Sequence, residues 1–201
     1  MSPASAQRLV LLDSGGANLG SVQAAFARLG VDAPVTSDRK VIGAASHVVL
    51  PGVGNAATAM ARLRDTGLDQ LIPRLSQPLL GICIGMQLLF ERSEEGDSEC
   101  LGLFPGSVRK LTPAPGVRIP HMGWNRLQVT SAHPLAAGLD RQWAYFVHSY
   151  AAAPSAGTVA TSSHGGAFAA IVARDRVMGA QFHPERSSAA GARLLRNFLA
   201  L

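Results

Sequence analysis

The chain has 201 residues, enough for one domain to bury a substantial core without disulfides or metal staples. Its net charge is +5, almost all of the basic excess is arginine, and aromatic residues make up 5% of the sequence. No dense Lys/Arg block with aromatic platforms is present, which argues against a nucleic-acid surface, and the two cysteines show no disulfide framework or metal-ligand spacing. A reduced, cytoplasmic setting is expected. The apolar run Leu9 to Leu12 is too short for a signal core, and no stretch approaches the ~20 apolar residues of a membrane span. One domain over 1–201 is expected, with no cofactor and no metal.

In chain order, Arg8 to Asp13 reads as a buried parallel strand, continuous, apolar and ended by an acid. The turn Ser14-Gly15-Gly16-Ala17-Asn18 fits neither Gly-x-Gly-x-x-Gly nor a P-loop. Leu19, Val22, Phe26 and Leu29 keep a helical period that Gly30 closes. A short strand is predicted over Ala33 to Thr36 and a buried one over His47 to Leu50. Pro51-Gly52-Val53-Gly54 follows directly, with backbone able to turn amides toward a ligand. A helix is predicted over Ala56 to Leu63.

Pro78 to Phe90 then joins an apolar strand, a Gly81-Ile82-Cys83-Ile84-Gly85 turn and a helical pattern. This is the cysteine counterpart of the nucleophile elbow Gly-x-Ser-x-Gly. A thiol there is expected to stand exposed at the carboxyl end of a strand, above the positive end of a helix. Glu91 to Asp97 reads as a polar, acidic loop.

Beyond it, short strands predominate: Gly106 to Leu111, Trp124 to Val129, Trp143 to Tyr150, Thr158 to Thr161, Phe168 to Ala173 and Val177 to Phe182. The last runs into His183-Pro184-Glu185, read as extended and kept from helix by Pro184, so that imidazole and carboxylate project to one side. A carboxylate there can hold the imidazole's tautomer while its other nitrogen takes a proton from a thiol. A helix over Ala189 to Leu201 closes the chain, with Ser187 or Ser188 as N-cap. The pattern predicts an α/β fold: a doubly wound, mostly parallel sheet of flavodoxin-like type, helices on both faces and an antiparallel strand extension.

Gly81 to Gln87 and Gln181 to Glu185 resemble the two signatures of class I (triad-type) glutamine amidotransferases. Further blocks, Asp13 to Leu29, Leu50 to Gly54, Pro120 to Asn125 and Tyr145 to Tyr150, resemble one branch of that family, the glutaminase subunit of imidazole glycerol phosphate synthase. The last two argue against the branches serving anthranilate, aminodeoxychorismate or guanylate synthesis. The resemblance implies that Cys83 attacks the side-chain amide of glutamine, that His183 moves the proton and that Glu185 orients it. It implies backbone oxyanion donors at Ile84 and Val53, the second after a peptide reorientation eased by Gly52 and Gly54. It places Gly52, Gly54, Gln87, Glu95, Ser149 and Tyr150 around the substrate. It also implies a partner, a cyclase subunit with a (β/α)8 barrel that receives the ammonia, with Asn18, Trp124, Tyr145 and Arg186 facing it. Ser14 and Arg186 depart from many relatives, which carry an aromatic residue and a lysine at those positions.

Overall fold

A computed structural model describes residues 8–14, 19–52 and 54–201. The predicted positions Asn18 and Val53 lie outside the described residues. The first half alternates strand and helix: β1 (Leu9–Leu12), α1 (Leu19–Ala27), β2 (Val35–Thr36), α2 (Arg39–Gly43), β3 (His47–Gly52), α3 (Ala56–Asp65), α4 (Leu68–Leu71), β4 (Leu79–Cys83) and α5 (Ile84–Gln87). Strands follow: β5 (Phe90–Ser93), β6 (Ser98–Glu99), β7 (Phe104–Lys110), β8 (His121–Arg126), β9 (Gln128–Val129), β10 (Trp143–His148), β11 (Tyr150–Ala152), β12 (Thr158–Ser163), β13 (Ala167–Arg174) and β14 (Val177–Ala180). Helix α6 (Ser188–Leu199) ends the fold.

Among the described residues the central sheet has eight strands in the order β2-β1-β3-β4-β14-β13-β12-β9. The first five are mutually parallel, in the flavodoxin-like order, and β13, β12 and β9 extend them antiparallel. The chain moves outward from β1 in both directions, and right-handed crossovers then put helices on both faces. Each of the parallel strands β1, β3, β4 and β14 is buried along its whole length, as strands covered on both faces must be. The doubly wound expectation therefore holds. The remaining strands form a β8–β10 pair and a small β11-β7-β5-β6 sheet, so only part of the second half extends the core.

Several boundaries differ from expectation. The helix after Cys83 is a single turn, and the chain is a strand again by Phe90. A one-turn helix supplies little dipole, so the expected thiolate stabilisation from that source is small. Glu91 to Asp97 is not simply a loop, because β5 and β6 pair across it as a hairpin, Arg92 opposite Glu99. Its acids are held rather than merely solvated: Glu91 Oε2 accepts the Gly106 N–H at 2.9 Å, Glu94 Oε2 that of Lys110 at 2.9 Å, and Glu95 Oε2 that of Ala56 at 3.0 Å. The strand expected over Trp124 to Val129 begins at His121 and breaks at the buried Leu127. The expected strand over Val177 to Phe182 stops at Ala180.

Candidate active site

The elbow is built from close backbone approaches. A Cβ on Gly85 would stand 1.8 Å from the Leu50 carbonyl oxygen, and one on Gly81 would stand 2.6 Å from the Gly85 carbonyl oxygen. Only glycine lets β3, β4 and the α5 turn meet this tightly. At the apex Cys83 has φ 55° and ψ −111°, a strained conformation for a residue with a side chain. Its residue surface is 4% exposed, which corrects the expectation of an exposed thiol. The sulfur nonetheless borders a cleft of about 580 Å³, shared with Ile84, Gln87, Glu95, His148, Tyr150 and His183.

Register explains how distant segments meet. Strand β14 runs parallel to β4 with Ala180 beside Ile82, so both chains leave the sheet at the same carboxyl edge. On the other side Gly52 of β3 pairs with Cys83. After β14 the chain bends, and Pro184–Arg186 form one 3-10 turn with Pro184 at its first positions. The expectation that Pro184 keeps this segment extended is therefore corrected. Proline suits the start of a helical turn, where its missing N–H costs nothing. The turn still brings His183 Nδ1 to 2.8 Å from Glu185 Oε1.

Ser187 stands at the N-cap position of α6 but makes no capping bond. Its hydroxyl donates to the His183 carbonyl at 2.7 Å and accepts the Tyr145 N–H at 2.9 Å, while the His183 N–H donates to the Tyr145 carbonyl at 2.9 Å. The histidine turn is thus clamped to β10. A cap signal in the sequence concealed that role.

Burial alone pulls the His183 imidazolium down, but the hydrogen bonds and charges of Cys83 and Glu185 together outweigh it and lift the group to about 10. Held between Cys83 and Glu185, the imidazole is favoured in its protonated, cationic form at neutral pH. A Cys83–His183 pair of this kind can attack a carbonyl and then protonate a leaving amine.

The family model for "Glutamine amidotransferase class-I" matches residues 10–201. The chain belongs to the class-I glutamine amidotransferase family. Curated relatives include "Imidazole glycerol phosphate synthase subunit HisH" of Xanthomonas euvesicatoria, 59% identical over 95% of this chain and 96% of that protein. The protein of the same name from Xylella fastidiosa is 57% identical over the same shares. Among solved structures, a glutamine amidotransferase aligns with TM-score 0.74 at 20% identity, covering 96% of this chain and 97% of that one. A glutamine amidotransferase from Thermotoga maritima aligns with TM-score 0.63 at 19% identity, covering 96% and 82%. Both share the fold.

As a glutamine amidotransferase the chain is an enzyme, and the cleft gathers most of the positions named for its substrate. Gly54, Gln87, Glu95, Ser149 and Tyr150 all line it. Gly52 does not; it lies beside the elbow, where a Cβ would be 2.7 Å from the Gly85 N. Glu95 has its carboxyl raised by burial, an effect the Ala56 N–H partly offsets. Gln87 is 1% exposed, with its Nε2 donating to the Tyr150 carbonyl at 2.8 Å and to Gln181 Oε1 at 3.1 Å. Among the described residues its Oε1 has no partner. Gln181 and His148 do not stand out as site residues in the sequence, although Gln181 opens the second signature.

Tyr145 and the exposed Arg186 stand at the cleft, and Trp124, half exposed, packs edge-on against Tyr145 with centroids 5.9 Å apart. Ser14 is buried, its hydroxyl donating to the Pro51 carbonyl at 2.6 Å. A small residue there thus serves the strand that ends beside the elbow. No helix among the described residues is long and apolar enough to cross a membrane.

Proposed function

We propose that this chain is the glutaminase subunit of imidazole glycerol phosphate synthase. It hydrolyses glutamine to glutamate and ammonia. A cyclase subunit with a (β/α)8 barrel takes the ammonia to make imidazole glycerol phosphate and aminoimidazole carboxamide ribotide in histidine biosynthesis. The observation that carries the reading is the convergence, at one edge of the sheet, of Cys83 with a His183–Glu185 pair whose nitrogen and oxygen are 2.8 Å apart.

In this reading the Cys83 thiolate adds to the side-chain carbonyl carbon of glutamine, and the C=O electron pair moves onto oxygen. The Ile84 N–H, first amide of α5 and without an intrahelical acceptor, faces that oxygen. Collapse of the adduct breaks the C–N bond while His183 gives its proton to nitrogen, so ammonia leaves and a thioester remains. Water then adds, His183 takes its proton, and the thiolate departs with glutamate released. Glu185 accepts the Nδ1–H throughout and stabilises the imidazolium with its negative charge.

The raised value of His183 has a stability consequence. The stability linked to its protonation is fully present below the unfolded value near 6.5 and is lost as pH rises through about 10. Glu185→Gln removes one source of the shift. Urea unfolding from pH 7 to 10 is expected to show a shallower fall in stability for this variant than for the native chain, and equal slopes would contradict the pairing.

The exposed Met122 and Trp124, beside Tyr145 and Arg186 at the cleft, form the face proposed for the cyclase. The test is the glutaminase rate alone, then with a barrel cyclase and its ribonucleotide substrate. A rise of about 10²-fold or more is expected if assembly completes an oxyanion site. No rise with the cyclase, but one with a chorismate-using synthase, would move the chain to another branch.

A further inference from the structure

Two buried histidines have no part in the steps above. His121 opens β8 and His148 ends β10; they face each other in the strand register and are 4% and 6% exposed. Their nitrogens belong to a hydrogen-bond chain with one unambiguous end. His148 Nδ1 lies 2.9 Å from the Tyr150 carbonyl oxygen, which can only accept, so Nδ1 carries a proton. Burial first, and then the charges of His164 and His183, hold His148 down to about 4 against the raising effect of the Tyr150 bond. Burial, His148 and His164 likewise hold His121 down to about 3. Both rings are therefore neutral at neutral pH.

A neutral His148 protonated at Nδ1 must accept at Nε2, and His121 Nδ1, 3.0 Å away, must be the donor. His121 Nε2 is then an acceptor, met by Asn125 Nδ2 at 3.3 Å. The Asn125 amide is fixed the same way round by its second bond, to the Ser163 carbonyl at 2.8 Å. At the other end the Tyr150 carbonyl accepts from Gln87 Nε2 as well as from His148, so both its lone pairs are engaged. Gln87 then gives its second N–H to Gln181 Oε1, which turns Gln181 Nε2 toward the Cys83 sulfur, 3.9 Å away.

We propose that His121 and His148 are positioning residues: the chain Asn125 to His121 to His148 clamps the Tyr150 carbonyl so that Gln87 holds the Gln181 amide with its N–H, not its oxygen, toward the Cys83 sulfur, which also has the Val147 carbonyl oxygen 3.9 Å away. An N–H there favours thiolate over thiol, whereas an amide oxygen would oppose it. The chain carries orientation rather than protons, since its last N–H points at a carbonyl and not at a base. The inference rests on Cys83 being the nucleophile, but its first test does not.

That test is a long-range ¹H–¹⁵N correlation spectrum of the full chain labelled with ¹⁵N-histidine, at neutral pH. His121 and His148 are both expected as neutral Nδ1–H tautomers; an Nε2–H form at either overturns the proposal. The second test is alkylation of Cys83 by iodoacetamide as a function of pH. His148→Leu is expected to slow it about tenfold near neutral pH, the size of one charge-assisted hydrogen bond, and to shift the profile upward. His148→Asn, whose amide can replace the Nδ1–H donor, is expected to recover most of that loss. Equal profiles for native, Leu and Asn chains would overturn the positioning role. If native Cys83 did not react at all, the nucleophile assignment would fall, while the tautomers would still decide whether the chain exists.

Discussion

Replacing Cys83 by alanine is expected to lower glutamine-dependent synthesis by about 10⁴-fold or more, while ammonia-dependent synthesis by the assembled pair continues. The other cysteine cannot take over. Cys100 is half-buried away from the cleft, and burial pushes its thiol up to about 11. Glutamine turnover that survived Cys83→Ala would remove the nucleophile assignment. The same position makes a stability prediction of the opposite sign. With φ 55° and ψ −111°, any side chain at this apex is strained by roughly 1–3 kcal/mol. Cys83→Gly relieves that strain, less the entropy glycine loses on folding, so urea unfolding is expected to find it about 1 kcal/mol more stable than Cys83→Ala. A glycine variant no more stable than the alanine variant would show that the apex stores no strain.

Gly85→Ala is expected to cost about 3 kcal/mol or more, as overpacking against fixed backbone does. The added methyl would sit 1.8 Å from the Leu50 oxygen and 2.8 Å from the Leu50 carbonyl carbon, in the interior of the sheet. Neither group can turn aside without breaking strand pairing. The control is Gly20→Ala on α1, where nothing among the described residues lies within 4 Å of the new methyl. There the higher helix propensity of alanine should stabilise by about 0.5–1 kcal/mol. Equal urea midpoints for the two variants would refute the close approach at the elbow.

The elbow and the His-Pro-Glu segment were legible because their signals are local. Glycine spacing around Cys83 reports how closely a strand and the next turn must pack, and a continuous apolar run reports burial on both faces of a sheet. The misreadings were local signals overruled by a distant partner. Pro184 reads as a helix breaker, yet it begins a 3-10 turn that α6 packs against, where a Cβ on Gly191 would be 1.9 Å from the Pro184 oxygen. Ser187 reads as a cap, yet its hydroxyl ties the histidine turn to β10. Glu91 to Asp97 reads as a polar loop, yet Glu91, Glu94 and Glu95 each accept a backbone N–H from another segment.

The amino-acid sequence by itself determined the doubly wound core and the candidates for nucleophile, base and orienter. These follow from periodicity and from which residue types a strained turn or an extended strand tolerates. Only the tertiary structure decided which way the amides and imidazoles around the sulfur point. Gln87 and Tyr150 are 63 residues apart, and Gln181 and Cys83 are 98 apart. A hydrogen bond has a direction only once donor and acceptor face each other, and no local pattern specifies that meeting.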